Sequence, residues 1–575
     1  MFPLHDPLTE TLRTELAPYD PLTAALLARR GILTKEEAEK FLNPSYDAHL
    51  HDPFLMTDMR KAARRFADAI LKKEKIAVWS DYDCDGIPGG VLLHDFLKKV
   101  GADFENYIPH RHLEGYGMNV TGVENLAKKS GVKLIVTVDS GITDVEPVAR
   151  AKELGMEVII TDHHLPGSVL PDAYAVVNPN ARTDETYPFH GLCGSGVAWK
   201  LVCATLAEEP SLREKVPEGW EKWLLDMVGL ATIADMVPLT GENRVLATYG
   251  LLVMRKSPRL GLQKMCRGMR TQQRTITEDD VGFMIAPRIN AASRMGEARE
   301  AFQLLITTDE SEADLLAKKL EKANRERKAQ AGAITRAVHT RLKERSELRS
   351  VIALGDPEWR PALLGLVANT IADEYERPVF LWGREGNMRL KGSMRSGGPT
   401  HALELMRATI DTFSDFGGHA AAGGFTVIDD AVFFLEDRLV EAYARLGNSD
   451  VADALVTQAD AALTVEEATS AFLKKVEQLA PFGMQNPKPV FLLREVVVQE
   501  ISQFGKSKEH LKLKIVRQGG KESIEAVTFF TKGTIARTTE TLSRGSRVNI
   551  LVHLERDTFS RGNPVRLRLL DIRVA

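Results

Sequence analysis

The chain has 575 residues, of which 44% are apolar and 27% charged, and its formal net charge is −4. This length exceeds what one hydrophobic core organises, so we expect roughly three or four domains. No apolar run approaches the roughly 20 residues that cross a bilayer. The N-terminus MFPLHDPLTE has no signal-peptide pattern, and the four cysteines have no close paired spacing. The composition argues against a membrane protein, a disulfide framework and a zinc finger, and favours a cytoplasmic protein with reduced thiols.

The charge is unevenly distributed along the chain. Residues 501–575 hold 15 Lys or Arg and 7 Asp or Glu, a net of +8. A basic terminal module on a mildly acidic body is able to contact a polyanion. A solvated basic surface explains the same charges equally well, and charge alone does not decide between the two.

The first half of the chain alternates apolar runs with helical patterns. The strand-like runs are IAVWS at 76–80, LIVTVDSG at 134–141 and EVIITDHH at 157–164, and residues 91–100 and 145–154 have helical spacing between them. This alternation predicts an α/β fold with a doubly wound, mostly parallel sheet. In such a sheet, ligands bind beyond the carboxyl ends of the strands.

Residues of metal-ligand type follow these strands and a fourth apolar run. They are Asp81, Asp83 and Asp85; Asp139; Asp162, His163 and His164; and Asp235. Crowded carboxylates repel one another unless cations neutralise them, although residues 81–86 alone equally suit an acidic turn that caps a helix. Carboxylate and imidazole ligands suit Mn²⁺ well and Mg²⁺ acceptably. Five or six such ligands suit two ions with a shared carboxylate or water, which is a standard arrangement for phosphoryl displacement.

The rest of the chain predicts three further regions. Residues 310–346 are highly charged and lack proline, which indicates one long exposed helix connecting two domains. Strand-like runs at 351–359 and 378–383 flank a helix near 363–374 and predict a second α/β domain. Five short β-type runs after about Pro489 predict a small barrel of the OB type.

Eleven ordered segments resemble the DHH phosphoesterase superfamily, and in particular its RecJ branch. They are DYDCDG (81–86), IPHRHLEGYG (108–117), VDSGIT (138–143), TDHHLPG (161–167), NPN (178–180), GLATIADMVPLTGENR (229–244), APRINAASRM (286–295), EWRPALLGLVA (358–368), GSMRS (392–396), GGHAAAGG (417–424) and PFGMQNPKPVF (481–491). The resemblance implies a metal-dependent 5′-to-3′ exonuclease that hydrolyses single-stranded DNA to 5′-mononucleotides in DNA repair and recombination.

The resemblance also implies the domain order. An N-terminal segment and the DHH catalytic domain would occupy residues 1–275, and a linking region with the long helix would occupy 276–346. A smaller DHH-associated α/β domain at 347–455 and an OB-fold nucleic-acid-binding barrel at 456–575 would follow.

The family's metal ligands fall on five positions of this sequence: Asp83, Asp85, Asp139, His163 and Asp235. His164 completes the implied catalytic set, either by contacting the scissile phosphate or by supporting a metal ion. Asp81 is expected outside the ligand set. Asp226 is an alternative to Asp235, because both lie in the same apolar run. We favour Asp235, because an apolar run that closes in Ala-Asp resembles the superfamily at this point.

Residues that resemble the family's substrate-binding groups come from both halves of the chain. They are Arg111, Arg294, Ser393, Arg395, Gly417, Gly418 and His419. Arg288 fits a structural salt bridge as well as a substrate contact, and Arg395 has the alternative of pairing with a carboxylate. In the barrel, Phe529 and Phe530 are candidates for base stacking, although core packing suits at least one of them better.

The expected partners are single-stranded DNA, a single-strand-binding protein and a helicase, with no membrane, and the expected state is a monomer. Two alternative functions remain open from the sequence. One is a DHH phosphodiesterase for small substrates such as oligonucleotides or cyclic dinucleotides. The other is an inactive RecJ-like binding protein.

Overall fold

The structure is a computed structural model that describes residues 2–384, 389–398, 400–447, 458–505, 508–520, 522–529, 531, 533–557 and 564–575. Contacts divide the chain into two compact units. The first unit is Pro7–Asn324 with Lys474–Lys488, and the second is Met1–Asp6, Arg325–Leu473 and Pro489–Ala575. The predicted limits of the domains at 275, 346 and 455 stay a prediction.

The first unit begins with short helices that precede its sheet. They are α1 (Glu10–Glu15), α2 (Pro21–Ala28), α3 (Lys35–Leu42), α4 (Tyr46–His49) and α5 (Met59–Leu71). A capping box between Thr34 and Glu37 starts α3, because each side chain accepts a backbone N–H that the helix leaves unpaired. Helix α5 is amphipathic and buries Phe66 and Ile70 in the main core.

A five-stranded parallel sheet forms the centre of the first unit. Its strands and helices are β1 (Ile76–Ser80), α6 (Gly86–Val100), β2 (Phe104–Tyr107), α7 (Val120–Ser130), β3 (Leu134–Val138), α8 (Val145–Glu153), β4 (Glu157–Thr161), β5 (Ala175–Val177) and α9 (Gly194–Glu208). The strand order is β2-β1-β3-β4-β5. Ile76 and Val78 pack in one core, and Ala77 and Trp79 pack in another. Because side chains alternate across a strand, the sheet has a core on each face and is doubly wound, as predicted.

Helices make up the remainder of the first unit. They are α10 (Pro210–Arg213), α11 (Leu225–Ala234), α12 (Gly241–Met254), α13 (Leu260–Met269), α14 (Glu278–Asp280), α15 (Ala286–Met295), α16 (Ala298–Ile306) and the first part of α17 (Glu310–Lys343), whose residues from Arg325 belong to the second unit. Helices α11 and α12 cross where Gly229 meets Gly250, and a methyl group on Gly229 would lie 2.6 Å from the Gly250 Cα. Helix α17 is the predicted long helix and ends at Lys343 rather than at 346.

A mixed sheet and three helices form the first part of the second unit. They are β6 (Ile352–Gly355), α18 (Pro361–Tyr375), β7 (Val379–Gly383), β8 (Lys391–Arg395), α19 (Ala402–Arg407), β9 (Phe413–Gly418), β10 (Ala422–Val427) and α20 (Leu435–Arg445). The strand order is β6-β7-β8-β10-β9, with β6 and β7 parallel and the other pairs antiparallel. This is the second, smaller α/β domain of the prediction.

A closed barrel follows, as the five β-type runs predicted. Its elements are β11 (Ala461–Ala462), β12 (Phe491–Phe504), β13 (His510–Val516), β14 (Ser523–Thr528), α22 (Gly533–Thr541), β15 (Arg547–Arg556) and β16 (Val565–Val574). Helix α21 (Ser470–Glu477) lies between β11 and β12 in the chain, and its residues from Lys474 group with the first unit. The order is β11-β12-β13-β14-β16-β15, and β15 pairs back with β12. Register shifts between Leu493 and Val496 and between Val498 and Glu500 interrupt the pairing of β12 on its two sides, and such bulges help a strand to bend around a barrel.

Within the described part of the chain, no helix combines the length and the apolar character that a membrane span requires.

Candidate metal centre

Residues of metal-ligand type gather at the carboxyl edge of the parallel sheet. Asp81 follows β1, Asp139 follows β3 and Asp162 follows β4. The backbone N–H of Asp81 donates to Val138 O, and that of Asp139 donates to Thr161 O, so the sheet pairing continues into these residues. Parallel strands all end at the same edge, which brings side chains distant in sequence together.

His163 Nε2 lies at the centre of three carboxylates. It is 3.1 Å from Asp139 Oδ1, 3.6 Å from Asp235 Oδ2 and 3.7 Å from Asp85 Oδ2. The four side chains come from the ends of β3 and β4, the start of α6 and the end of α11. The sheet and the packing of α11 thus combine four distant segments into one site.

Asp85 is held by the N-terminus of α9. Its carboxylate accepts the backbone N–H groups of Gly194 at 2.6 Å and Ser195 at 2.7 Å. Ser195 Oγ in turn donates to the carbonyl oxygen of Asp85 at 2.6 Å. A helix N-terminus favours a negative group through its unpaired N–H groups and its dipole. A methyl group on Gly194 would lie 2.6 Å from Asp139 Cβ, so only glycine allows this close approach.

The loop after β1 is shaped by its own carboxylate and by α15. Asp83 Oδ1 accepts the backbone N–H groups of Asp85 at 2.8 Å and Gly86 at 3.2 Å. Asn290 Oδ1 accepts the backbone N–H of Cys84 at 2.9 Å. A role for Asn290 was not predicted from the sequence, although this residue lies in the APRINAASRM segment that carried the resemblance.

Asp162 orients the two histidines. Its Oδ1 accepts the backbone N–H of His163 at 2.7 Å, and His164 Nδ1 donates to the same oxygen at 2.8 Å. The Tyr116 hydroxyl lies 3.1 Å from His164 Nδ1 and donates to the Asp139 carbonyl oxygen at 2.9 Å. Tyr116 therefore links the ends of β3 and β4. A role for Tyr116 was not predicted from the sequence, although its place in the GYG segment was an available signal.

The pKa values reflect a crowded, buried group of negative charges. Burial raises the pKa of Asp139 well above its usual range, and the charges of Asp85 and Asp83 add to the shift. Burial and neighbouring carboxylates also raise the pKa of Asp81 and that of Asp235. An added positive charge would reverse these shifts, because it favours the ionised carboxylates.

The two histidines differ in pKa. Burial lowers the pKa of His163, and the charge of Asp85 only partly offsets this. Burial acts in the same direction on His164, but the hydrogen bond and charge of Asp162 raise the pKa of His164 to about 9. For Asp162 itself, burial is outweighed by the hydrogen bond from His164 and the charges of both histidines, so its pKa is lowered.

The donor set fits divalent cations. Asp81 Oδ1, Asp139 Oδ1 and His163 Nε2 are buried and have no hydrogen-bond partner among the described residues. Buried polar atoms are rarely left unpaired, so these three atoms need a ligand. Ligand atoms lie within 4.8 Å of one another in three groups. The groups are Asp139, His163 and His164; Asp85, His163 and Asp235; and Asp81, Asp83 and Asp139.

Asp226 and Arg288 have structural partners in the first unit. The buried Asp226 carboxylate accepts hydrogen bonds from Arg259 Nε and Ser257 Oγ, both at 2.7 Å. Arg288 pairs with Glu321 at 2.8 Å and donates to the Met284 carbonyl oxygen at 2.7 Å. These contacts support Asp235 as the ligand and a salt-bridge role for Arg288.

Arg111 and Arg294 flank the aromatic side chain next to the acidic loop. The guanidinium carbon of Arg111 lies 4.7 Å from the ring centre of Tyr82. Burial raises the pKa of Tyr82, and the positive charges of Arg111 and Arg294 oppose this shift. Both cations therefore act on Tyr82, which separates Asp81 from Asp83 in the acidic loop, and the charge of Arg111 also opposes the rise in the pKa of Asp81.

In the second unit, Ser393 and Arg395 share one face of β8. A methyl group on Gly365 of α18 would lie 2.9 Å from Arg395 Nη2 and 3.5 Å from Ser393 Oγ. Arg395 Nη1 donates to the Met394 carbonyl oxygen at 2.7 Å, and burial lowers the pKa of Arg395. No carboxylate of the described residues forms a salt bridge with it, which weakens the alternative of a structural ion pair.

The glycine-rich turn lies next to these two side chains. In the antiparallel sheet, Gly424 is opposite both Ser393 and Gly417, and Ala422 is opposite Arg395. Gly417, Gly418 and His419 are exposed and form the end of the β9–β10 hairpin. Gly418 has a φ of +152°, and a methyl group there would lie 2.3 Å from Ala422 O, so glycine is required.

The barrel carries an aromatic cluster at the end of β14. The Phe529 ring is covered by the Arg568 guanidinium at 4.4 Å. Phe504 and His510 contact its edge, with ring centres 5.8 Å and 5.3 Å away. Phe529 is only partly buried. Phe530, the second candidate for base stacking, lies outside the described residues.

A parallel sheet with carboxylates and two histidines at its edge, joined to a smaller mixed sheet and a barrel, defines a phosphoesterase of the DHH class. Family models match three regions of the chain. The DHH family N-terminal domain matches residues 75–232, the DHHA1 domain 348–446 and the RecJ OB domain 459–571.

Individual proteins narrow this class to one family. The chain is 36% identical over 565 residues to the single-stranded-DNA-specific exonuclease RecJ of Bacillus subtilis, covering 98% of this chain and 69% of that one. Two crystal structures of RecJ from Thermus thermophilus are similar over the whole of this chain. The Mn²⁺ complex has a TM-score of 0.80 and a sequence identity of 29%, and 79% of its chain is covered. The Mg²⁺ complex has a TM-score of 0.75 and a sequence identity of 27%, and 78% of its chain is covered. The chain belongs to the RecJ family.

Proposed function

We propose that this protein is a single-stranded-DNA-specific exonuclease that hydrolyses phosphodiester bonds from the 5′ end and releases 5′-mononucleotides in DNA repair and recombination. The observation that carries the proposal is His163 Nε2 within 3.7 Å of three carboxylates at the sheet edge. The three regions that the family models match accompany this site.

The metal centre takes Mn²⁺ or Mg²⁺, and the number of ligands supports two ions. The proposed ligands are Asp83, Asp85, Asp139, His163 and Asp235. Asp139 is the carboxylate that belongs to two of these groups, one with Asp81 and Asp83 and one with both histidines, so it would be available to both ions. When bound, such ions supply Lewis-acid stabilisation of the charge that develops on the phosphate oxygens.

The chain's own residues orient the reacting groups. Asp162 accepts a hydrogen bond from His164 Nδ1–H, so Nε2 is the nitrogen left for the scissile phosphate. Asp85 is locked by the N-terminus of α9, and Asp83 by the turn into α6. Arg111 and Arg294 provide positive charge beside the acidic loop, where the substrate's phosphates are expected.

In the second unit, Ser393, Arg395 and the Gly417–Gly418–His419 turn are proposed to bind phosphate at the 5′ end. A terminal phosphate carries more negative charge than an internal diester. A guanidinium binds phosphate oxygens in pairs, and the small residues of the turn leave backbone groups accessible. Recognition of that terminal charge would set the direction of digestion.

Single-stranded DNA is the proposed substrate, and the barrel is its proposed secondary binding surface. The basic C-terminal region and the partly buried Phe529 support this role, because OB-folds bind single strands through positive charge and aromatic stacking. A single-strand-binding protein and a helicase are proposed partners. A monomer in the cytoplasm is the proposed state, supported by the four free cysteines.

The test of the function is release of label from 5′-labelled and 3′-labelled single-stranded DNA in the presence of Mn²⁺. We expect mononucleotides from the 5′ end, no release with EDTA, and loss of activity in Asp139→Ala and His163→Ala. A cyclic dinucleotide or a short oligoribonucleotide as the better substrate would favour the small-substrate alternative. Binding without hydrolysis would favour the inactive one. The barrel argues against the small-substrate alternative, and the complete ligand set argues against the inactive one.

The test of polarity is Arg395→Ala assayed on 5′-phosphorylated and 5′-hydroxyl oligonucleotides. We expect this variant to lose most of the wild-type preference for the phosphorylated end. The matched variant Arg395→Lys keeps the charge without the planar fork and should retain part of the preference. A full preference in Arg395→Ala, or digestion by the wild type from the 3′ end, would contradict the assignment.

A further inference from the structure

The loop between α11 and α12, residues 235–240, begins with the proposed ligand Asp235. Its next residue, Met236, has a left-handed φ of +58° and is 67% exposed. A left-handed conformation outside glycine costs roughly 1–3 kcal/mol and persists only where the surroundings enforce it. The conformation of this loop therefore needs contacts from elsewhere in the first unit.

Two hydrogen bonds hold the second half of the loop. The backbone N–H of Leu239 donates to the Met484 carbonyl oxygen at 2.9 Å. Asn243 Nδ2 donates to the Pro238 carbonyl oxygen at 3.0 Å and also to that of Gly191, which precedes α9. One of the two contacts thus comes from a segment more than 200 residues further along the chain.

That segment, residues 478–488, is named the strap. It contains most of the PFGMQNPKPVF motif, to which the proposed function gives no role. The strap groups with the first unit, and the chain returns to the second unit at Pro489. Its contacts with the loop are therefore contacts within one compact unit.

Asn486 shapes the strap from inside. It is completely buried, and its Nδ2 donates to the carbonyl oxygens of Leu479 and Pro481, both at 2.8 Å. Its Oδ1 accepts a hydrogen bond from Arg30 Nε at 2.6 Å, and Arg30 also donates a hydrogen bond to the Pro487 carbonyl oxygen. A buried amide with all these bonds satisfied favours one conformation of the segment.

Arg244 fastens the strap to α12. It is 3% exposed, and its guanidinium donates to the carbonyl oxygens of Leu479 at 2.9 Å and Ala480 at 3.0 Å. Its Nε donates to the Phe41 carbonyl oxygen. A buried cation that binds backbone carbonyls is costly to place, so this contact indicates that the position of the strap matters.

We propose that the strap is a positioning element of the metal centre. It holds the loop so that Asp235 Oδ2 stays 3.6 Å from His163 Nε2, and it thereby sets the affinity of the site for Mn²⁺. The inference rests on the proposed role of Asp235 as a ligand. Partners that orient a ligand change metal affinity by about 10- to 100-fold when removed.

Gly483→Ala tests the contact directly. A methyl group there would lie 2.7 Å from Leu239 Cδ1 and must displace the Leu239 side chain on the loop, whereas Gly268→Ala adds a methyl group that meets nothing within 4 Å. Mn²⁺ affinity is measured by calorimetry, together with Tm, kcat and the KM for DNA. We expect about tenfold weaker Mn²⁺ binding in Gly483→Ala, a lower kcat at limiting Mn²⁺, an unchanged KM, and wild-type behaviour in Gly268→Ala.

Leu239→Val removes the displaced δ-carbons and should restore Mn²⁺ affinity in the Gly483→Ala background. Arg30→Gln weakens the hydrogen bonds from residue 30 to Asn486 and Pro487 of the strap. This substitution should weaken Mn²⁺ binding even if Gly483→Ala does not fold. Wild-type Mn²⁺ affinity in Gly483→Ala or in Arg30→Gln, or no recovery with Leu239→Val, would overturn the inference. Asp235→Asn separates the two hypotheses. If it binds Mn²⁺ like the wild type, the ligand role of Asp235 fails, and if it alone loses binding, only the positioning role fails.

Discussion

Asp226 and Asp235 lie near the two ends of α11 but have different surroundings. Asp226 is 2% exposed and is engaged by Arg259 and Ser257. The Asp235 side chain is 26% exposed and faces His163. An identical residue type therefore stabilises the fold at one position and is available to a cation at the other.

The two aspartates provide a matched pair of substitutions. Asp226→Asn should lower the free energy of unfolding by about 1–3 kcal/mol, because a buried charged hydrogen bond is weakened, and should leave the activity per folded molecule near the wild-type value. Asp235→Asn should lower kcat at least about a hundredfold with little change in Tm. Thermal unfolding and the nuclease assay together check both. The reverse pattern would make Asp226 the ligand.

The hydroxyl of Tyr116 is the subject of a second prediction at the residue scale. Tyr116→Phe removes the hydroxyl that joins the Asp139 carbonyl to His164, and the loss of about 1–1.5 kcal/mol of orientation should lower kcat roughly tenfold. Tyr375→Phe is the control, because the Tyr375 hydroxyl also lies 3.1 Å from the Nδ1 of a histidine, His339, which is outside the site. Equal effects of the two substitutions would refute a positioning role for Tyr116.

At the scale of elements, the start of α9 decides how closely the ligands pack. Its first two N–H groups bind Asp85, and its first residue touches Asp139. The N-terminus of α9 therefore packs directly against the residue that follows β3. No side chain beyond hydrogen fits between them.

Gly194→Ala should disrupt this packing. The added methyl group would lie 2.6 Å from Asp139 Cβ and 2.8 Å from its Oδ1, so we expect a loss of activity on the order of a hundredfold and weaker Mn²⁺ binding. Gly196→Ala, two residues further along α9, meets its nearest atom at 3.7 Å and should remain active. Full activity in Gly194→Ala would show that the helix start is not part of the site.

For the molecule as a whole, the metal centre is a source of instability in the absence of cations. Burial and mutual repulsion raise the pKa values of Asp81, Asp139 and Asp235, so the folded state without metal holds poorly solvated carboxylates. Cations that bind the folded chain and not the unfolded chain shift the unfolding equilibrium by mass action.

Mn²⁺ should therefore raise Tm. At 100 times Kd, binding adds about 2.7 kcal/mol per site to the free energy of unfolding. Asp139→Ala should abolish most of this gain and, without metal, should be at least as stable as the wild type, because a repelling charge is gone. Calorimetry with Mn²⁺ and with EDTA measures both effects. An unchanged wild-type Tm on adding Mn²⁺ would contradict a cation site at this edge.

Much of the fold could be predicted from local patterns. The strands β1, β3 and β4, the long helix α17 and the five barrel strands β12–β16 were all predicted, because each is a continuous apolar or charged run with its own periodicity. Strands β2 and β5 were not predicted. They have four and three residues, too few for a periodic signal, and pairing with the sheet is what makes them strands.

The sequence by itself determined which residue types end each strand, and hence a cluster of carboxylates and histidines at one sheet edge. Only the tertiary structure decided which atoms meet. It placed Asp226 against Arg259 and Asp235 against His163, brought Asn290 and Tyr116 to the ligand loops, and set the strap against the loop that begins with Asp235. These contacts join segments from about 20 to over 240 residues apart. Local spacing carries no information on such pairs, because packing of the whole unit selects them.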